Sequence, residues 1–154
     1  MPSPATPSRR AGARLTHDDF AALASLRYEL RRFTAFSETA AAEGGLTPQQ
    51  HQALLAIKGS PDERLTVGGI AERLLLRHHS AVELVDRLAK MELVARTPDT
   101  QDRRRVQVTL TPLAEQRLEV LSHAHLEELR ALGPLLRALL DRIGEEDGAR
   151  GRGG

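Results

Sequence analysis

Residues 65–111 read LTVGGIAERLLLRHHSAVELVDRLAKMELVARTPDTQDRRRVQVTLT, and the hydrophobic period changes inside this stretch. Thr66 suits a helix N-cap, and the spacing predicts a short helix over Val67–Leu74. A second helix is predicted from about His78 to Met91, with an apolar stripe of Val82, Val85, Leu88 and Ala89 and with Ala81 and Leu84 beside it. His78, His79, Ser80, Glu83, Arg87 and Lys90 form its outward set. Two helices this short, joined by a few residues, make a helix-turn-helix. From Leu93 the period becomes two. Leu93–Thr97 and Val106–Leu110 read as strands, and Pro98-Asp99-Thr100-Gln101-Asp102 between them is turn chemistry. A basic β-hairpin directly after a helix-turn-helix is a wing.

Outward from this stretch the chain is helical. Asp18–Ala42 carries Phe20, Leu23, Leu26 (or Arg27), Leu30, Phe33 and Phe36 or Ser37 at three- and four-residue spacing and stops at Gly44-Gly45. Thr47-Pro48-Gln49-Gln50 then offers an N-cap, a proline for the first turn and a capping-box glutamine. That helix runs to about Lys58, with Ala53, Leu54 and Ile57 inward. After the hairpin, Thr111-Pro112 opens a long helix. Gly133-Pro134 is read as its end, and a last, very apolar helix holds Leu135, Leu136, Leu139, Leu140 and Ile143. The fold class is therefore mainly α with a small β-hairpin wing. It is a winged helix-turn-helix (46–111) flanked by dimerisation helices (15–42 and 112–143) in one domain, 15–143. Residues 1–13 read as a disordered tail and 144–154 as a flexible one.

Composition narrows the function. There is no cysteine, which excludes disulfides, thiolate metal sites and thiol chemistry. No apolar run is long enough to span a membrane, and the N-terminus lacks a secretory h-region, so a cytoplasmic protein without a membrane role is expected. The formal net charge is only +1, but Arg103-Arg104-Arg105 concentrates positive charge in the hairpin. No Gly-rich phosphate loop, HExxH or nucleophile elbow occurs, and neither the His78/His79 nor the His123/His125 pair shares a helix face. No enzyme, metal or cofactor is read here. A helix suits the DNA major groove, and the polar turn Arg77-His78-His79-Ser80 stands where base contacts are made. Glu83 and Arg87 follow on the same side. In the wing, Arg103, Arg104 and Arg105 suit phosphate and minor-groove contact, and Asp102 is spaced to pair with Arg104.

The stretch Leu65–Thr111 resembles the MarR (multiple-antibiotic-resistance regulator) family. Asp102-Arg103-Arg104 before the strand ending Leu110-Thr111, and Val85-Asp86-Arg87-Leu88 in the recognition helix, carry the likeness. With the flanking helices it extends from Leu15 to Ile143. The resemblance implies a homodimeric transcriptional regulator, a repressor by default, on double-stranded DNA with an inverted-repeat operator. It gives Arg104 the minor-groove role and Asp102 the task of orienting it. It also implies a small aromatic or anionic effector, for which Tyr28, Arg31, Arg32 and His51 stand on the relevant helices. The competing reading is a ligand-independent architectural DNA binder or a protein-interaction winged helix. The chain departs from the family at Glu92, where relatives usually place a helix-ending glycine, and at Ala114, where a glycine often stands. With the spacing from helix to wing unchanged, Glu92 is expected to keep the left-handed turn at a cost of roughly 1 kcal/mol.

Overall fold

The computed structural model describes residues 14–150. The expected tail at residues 1–13, and residues 151–154, lie outside them. The elements are α1 (His17–Glu43), α2 (Pro48–Lys58), a short 3-10 turn (Pro61–Glu63), β1 (Arg64–Thr66), α3 (Val67–Leu74), α4 (His78–Lys90), β2 (Val94–Pro98), β3 (Val106–Leu110) and α5 (Pro112–Arg150). No helix among the described residues is long and apolar enough to cross a membrane.

Threonine begins four of the helices. At α1 the Thr16 hydroxyl accepts from the Asp19 N–H at 3.3 Å, while the Asp19 carboxylate accepts from the Thr16 N–H at 2.7 Å. The Thr47 hydroxyl accepts from the Gln50 backbone N–H, while the Gln50 side chain accepts from the Thr47 N–H at 2.9 Å, completing the capping box. Thr66 accepts from Gly69 N–H at 3.0 Å and Thr111 from Ala114 N–H at 3.3 Å. Each bond satisfies a backbone donor that the first helical turn leaves without a partner.

Three of the helices also end alike. At α1, Gly45 N–H reaches Ala42 O and Leu46 N–H reaches Ala41 O around a left-handed Gly45 (φ 73°). The same pair of bonds closes α3 around Leu75 (φ 56°) and α4 around Glu92 (φ 59°). Only the first uses the residue that takes this conformation without penalty. Glu92 thus holds the left-handed turn expected of it, and Leu75 shares its situation. Thr111 locks the second of these turns by donating its hydroxyl to the Glu92 carbonyl at 2.7 Å.

The sheet has three strands in the order β1-β3-β2, all antiparallel. The hairpin pairs Val94 with Leu110 and Pro98 with Val106, and β1 adds Arg64 opposite Thr109 and Thr66 opposite Gln107. β1 is absent from the sequence reading, because three residues are too few to show a period.

Contacts divide the chain into two units, one of residues Arg32–Ala131 and one of residues 14–31 with 132–150, where the sequence reads as a single domain over 15–143. The winged helix (46–111) lies wholly in the first. Its core is aliphatic. Leu54, Ile57, Ile70, Val85, Leu88, Leu93 and Val108 are fully buried, and Leu118 and Leu121 of α5 join them. Ala114, at the second family departure, is also fully buried, so there its small size is what packing requires. In the second unit Ala22, Leu132 and Leu139 are buried, while Leu15, Phe20, Leu23, Tyr28, Leu30, Leu135 and Leu140 are exposed.

Two expectations need correction. The helix opened by Thr111-Pro112 does not end at Gly133-Pro134. α5 is continuous to Arg150, takes in residues 144–150 where a flexible tail was read, and carries Pro134 inside. Proline there forfeits one backbone bond, but the flanking Leu, Ala, Arg and Glu residues are strong helix formers. On α4, Val82 is not part of the core stripe. Ala81, Leu84, Val85 and Leu88 are buried, and Val82 is exposed.

Candidate functional site

Arg77 precedes α4 in an extended conformation, and its side chain makes no capping bond. Arg77, His78 and His79 are exposed and Ser80 is half-buried. Val82, one turn beyond His78, adds an exposed apolar patch to the same face, a surface suited to a thymine methyl group. It was missed because its apolar side chain fits the core period. Glu83 and Arg87 face each other across one turn at 3.7 Å, both well exposed. The Glu83 carboxylate beside Arg87 reads first as a solvated helix pair, worth a few tenths of a kcal/mol.

The wing loop, residues 99–105, is ordered by its own aspartates. Asp99 N–H donates to Arg105 O at 3.0 Å, and Arg105 N–H donates to Asp102 O at 2.9 Å. The Asp99 carboxylate accepts from the Gln101 N–H at 3.0 Å and from the Gln107 side-chain amide at 3.1 Å. Those bonds, and after them the nearby charges of Arg105 and Arg64, hold its pKa below the usual value. The Asp102 carboxylate accepts from the backbone N–H of Arg104 at 3.0 Å, not from the Arg104 guanidinium. The paired side chains expected from the sequence are therefore replaced by an Asx turn, in which Asp102 fixes the backbone that carries Arg104. Arg103, Arg104 and Arg105 are all exposed.

Helix and wing meet along both edges of α4. Thr66, Val67 and Gly68 of the β1–α3 junction, His78 of α4, and Arg104, Arg105 and Val106 of the wing border a groove of about 370 Å³. On the other edge of α4, Asp86 forms an ion pair with Arg96 of β2, a link between the helix and the wing that the sequence reading did not single out. Both partners are about half exposed, so the pair orients more than it stabilises.

A separate cavity of about 600 Å³ lies within the larger unit. Phe33, Leu55, Leu126 and Leu129 supply apolar wall, and Ser37, Glu38, His51, Gln52 and His125 supply polar groups. Of the four residues proposed for an effector pocket, His51 lines this cavity. Tyr28 and Arg31 belong to the other unit, and Arg32 is not among the lining residues. His125, read in the sequence only as one of two histidines that share no helix face, also lines the cavity. It stands 4.7 Å from His51, centroid to centroid, and meets the edges of Phe33 and Phe36 at 5.8 and 5.4 Å. Its Nδ1 is 2.6 Å from the Leu121 carbonyl and its Nε2 2.8 Å from the Ser37 hydroxyl. A carbonyl can only accept, so Nδ1 carries a proton, and Nε2 faces the Ser37 hydroxyl. Burial, and then the charge His125 would carry, push the His51 pKa down.

Residues 44–105 match the family model described as MarR family. The HTH-type transcriptional regulator SarZ of Staphylococcus epidermidis is 35% identical over 80 residues, 52% of this chain and 53% of SarZ. The chain thus spans about half the length of the curated relative it matches. AbsC, a MarR family transcriptional regulator from Streptomyces coelicolor, shares the fold with a TM-score of 0.68 at 20% identity, covering 93% of this chain and 100% of AbsC. A mutant of MepR from S. aureus, in a structure bound to an oligodeoxyribonucleotide, gives 0.63 at 18% identity, over 86% of this chain and 99% of MepR. Over residues 44–105 the chain is therefore similar to the MarR family.

Proposed function

We propose that this chain is a cytoplasmic, sequence-specific DNA-binding transcriptional regulator that acts as a homodimer. It represses by occupying an imperfect inverted-repeat operator and is released by a small molecule. The observation that carries this reading is the groove where the first turn of α4 and the arginines of the wing converge. Arg77, His78, His79, Ser80 and Val82 are placed to read base edges in the major groove. Arg103, Arg104 and Arg105 reach phosphates and the adjacent minor groove. That MepR is found on DNA in the same fold supports the docking mode.

The exposed Phe20, Leu23, Leu30, Leu135 and Leu140 of the smaller unit support a dimer. Each such side chain gains about 1.5–3 kcal/mol when fully covered, and a two-fold partner supplies the same surface. The cavity at His51 and His125 is the place for the effector. Selection of bound DNA from a random pool tests the reading. It should return a two-fold symmetric sequence with half-site centres about 10 base pairs apart. With about four phosphates neutralised per subunit, log K against log salt should fall with a slope near −7. No enriched sequence, or a slope shallower than about −3, rejects it.

A further inference from the structure

We propose that Leu75, in the turn between α3 and α4, is a DNA-contact residue: it packs against a deoxyribose ring of the strand that borders the major groove, between phosphates taken by Arg73 and Arg77. The proposal rests on the regulator reading above and deepens it.

The turn is built at odds with its sequence. Leu74, Leu75 and Leu76 follow one another, and the first and third pack against the core of the winged helix. Leu75 does not. Its backbone is left-handed (φ 56°, ψ 39°), and its N–H and that of Leu76 close α3 on the Glu72 and Ala71 carbonyls. Glycine or asparagine performs that backbone task at lower cost than leucine. The Leu75 side chain is 92% exposed, the most exposed large apolar side chain among the described residues. Strain and exposure together give it no role within the folded chain and mark it for an outside contact.

Position and charge identify the contact. Three residues span at most about 11 Å, so Leu75 stays within that distance of His78. The major groove is about 12 Å wide, so with the first turn of α4 in the groove Leu75 lies at its border. Arg73 and Arg77 are exposed on either side of it in the chain, and among the described residues neither makes an ion pair. Glu72, the one carboxylate between residues 64 and 82, stands two residues from buried Ile70 and so on the side of α3 opposite the core. Two free guanidiniums with an apolar side chain between them match a nucleic-acid backbone, where anionic phosphates alternate with the C–H faces of sugars.

Fluorescence anisotropy of the full chain on two labelled duplexes is the test: the sequence selected from a random pool, and an unrelated sequence of the same length. Leu75→Asn keeps the left-handed turn and removes the apolar contact, and Leu75→Gly also removes the strain. Both should weaken binding about fivefold through the lost apolar burial. The loss should be equal on the two duplexes, because a sugar contact carries no sequence information. The slope of log K against log salt should not move, since a neutral side chain releases no counterion, whereas Arg73→Gln should make it shallower by about 2 in a dimer. Leu75→Met should keep most of the affinity. Urea unfolding should find Leu75→Gly at least as stable as the parent, which makes its loss one of contact. Glu92→Gly relieves the same strain at the end of α4 and should leave affinity unchanged. Parental affinity in Leu75→Asn and Leu75→Gly, a loss confined to the selected duplex, an equal loss in Glu92→Gly or an unchanged slope in Arg73→Gln overturns the proposal and leaves the regulator reading standing. A parent that binds neither duplex overturns both.

Discussion

Asp102 and Arg104 are joined through the main chain: the carboxylate of one accepts the backbone N–H of the other at 3.0 Å. The arginine head is left at the surface while the loop beneath it is fixed. Asparagine can make the same turn, so Asp102→Asn should keep DNA affinity or raise it slightly by removing a negative charge. Asp102→Ala loses the turn and should weaken binding. Arg104→Ala should cost about 1–3 kcal/mol per half-site. Fluorescence anisotropy on the selected operator checks all three. Tighter binding by Asp102→Ala would show that only charge matters here.

Leu75 and Glu92 close their helices in the left-handed conformation, which costs a residue with a Cβ roughly 1–2 kcal/mol. Replacing either by glycine relieves the strain, less the greater freedom glycine gives the unfolded chain. Leu75→Gly and Glu92→Gly should each gain about 0.5–1 kcal/mol in reversible urea unfolding. Leu75 is 92% exposed, so its removal forfeits little packing. Loss of stability in both variants would show that the strain is absent.

His51 links stability to acidity. Its pKa in the folded chain lies below the ordinary 6.5, so between the two values the unfolded chain holds more protons. The stability this group contributes is complete above about 6.5 and declines as pH falls toward the lower folded value. Urea midpoints at pH 7.5 and 5.5 should show the decline, and His51→Gln should reduce it. An unchanged decline assigns the effect to other groups.

Phe20 and Leu140 are 57% and 58% exposed in the single chain. Charges at these positions are harmless to an isolated chain and costly in a covered face. Phe20→Glu with Leu140→Arg should therefore yield a folded monomer by sedimentation at micromolar concentration, where the parent should sediment as a dimer. A monomeric parent removes the basis for a two-fold operator.

The winged helix was legible because its cues are local. Thr66 marked the start of α3, and the change of period after Met91 marked the hairpin. What escaped depended on residues distant in sequence. β1 exists only by pairing with β3, some forty residues on. Val82 has the spacing of a core residue, and only the packing of α4 shows that its neighbours fill the core without it. His125 gains its meaning from Ser37 and His51, on two other helices. In the wing, the pairing of Asp102 was misassigned because a carboxylate two residues before an arginine can reach either its head or its backbone.

Thr66 has two duties at once: it is the last residue paired to β3 and the cap of α3. Through it the strand that carries the wing's base is stitched to the start of the helix-turn-helix, and Asp86 with Arg96 fastens the far side. The wing is thus no loose flap. Like the jaw of a caliper, it holds its reach relative to α4, and in the proposed dimer the adjustable quantity would be the gap between two such jaws. In that dimer, control of DNA binding would be a matter of span rather than of grip.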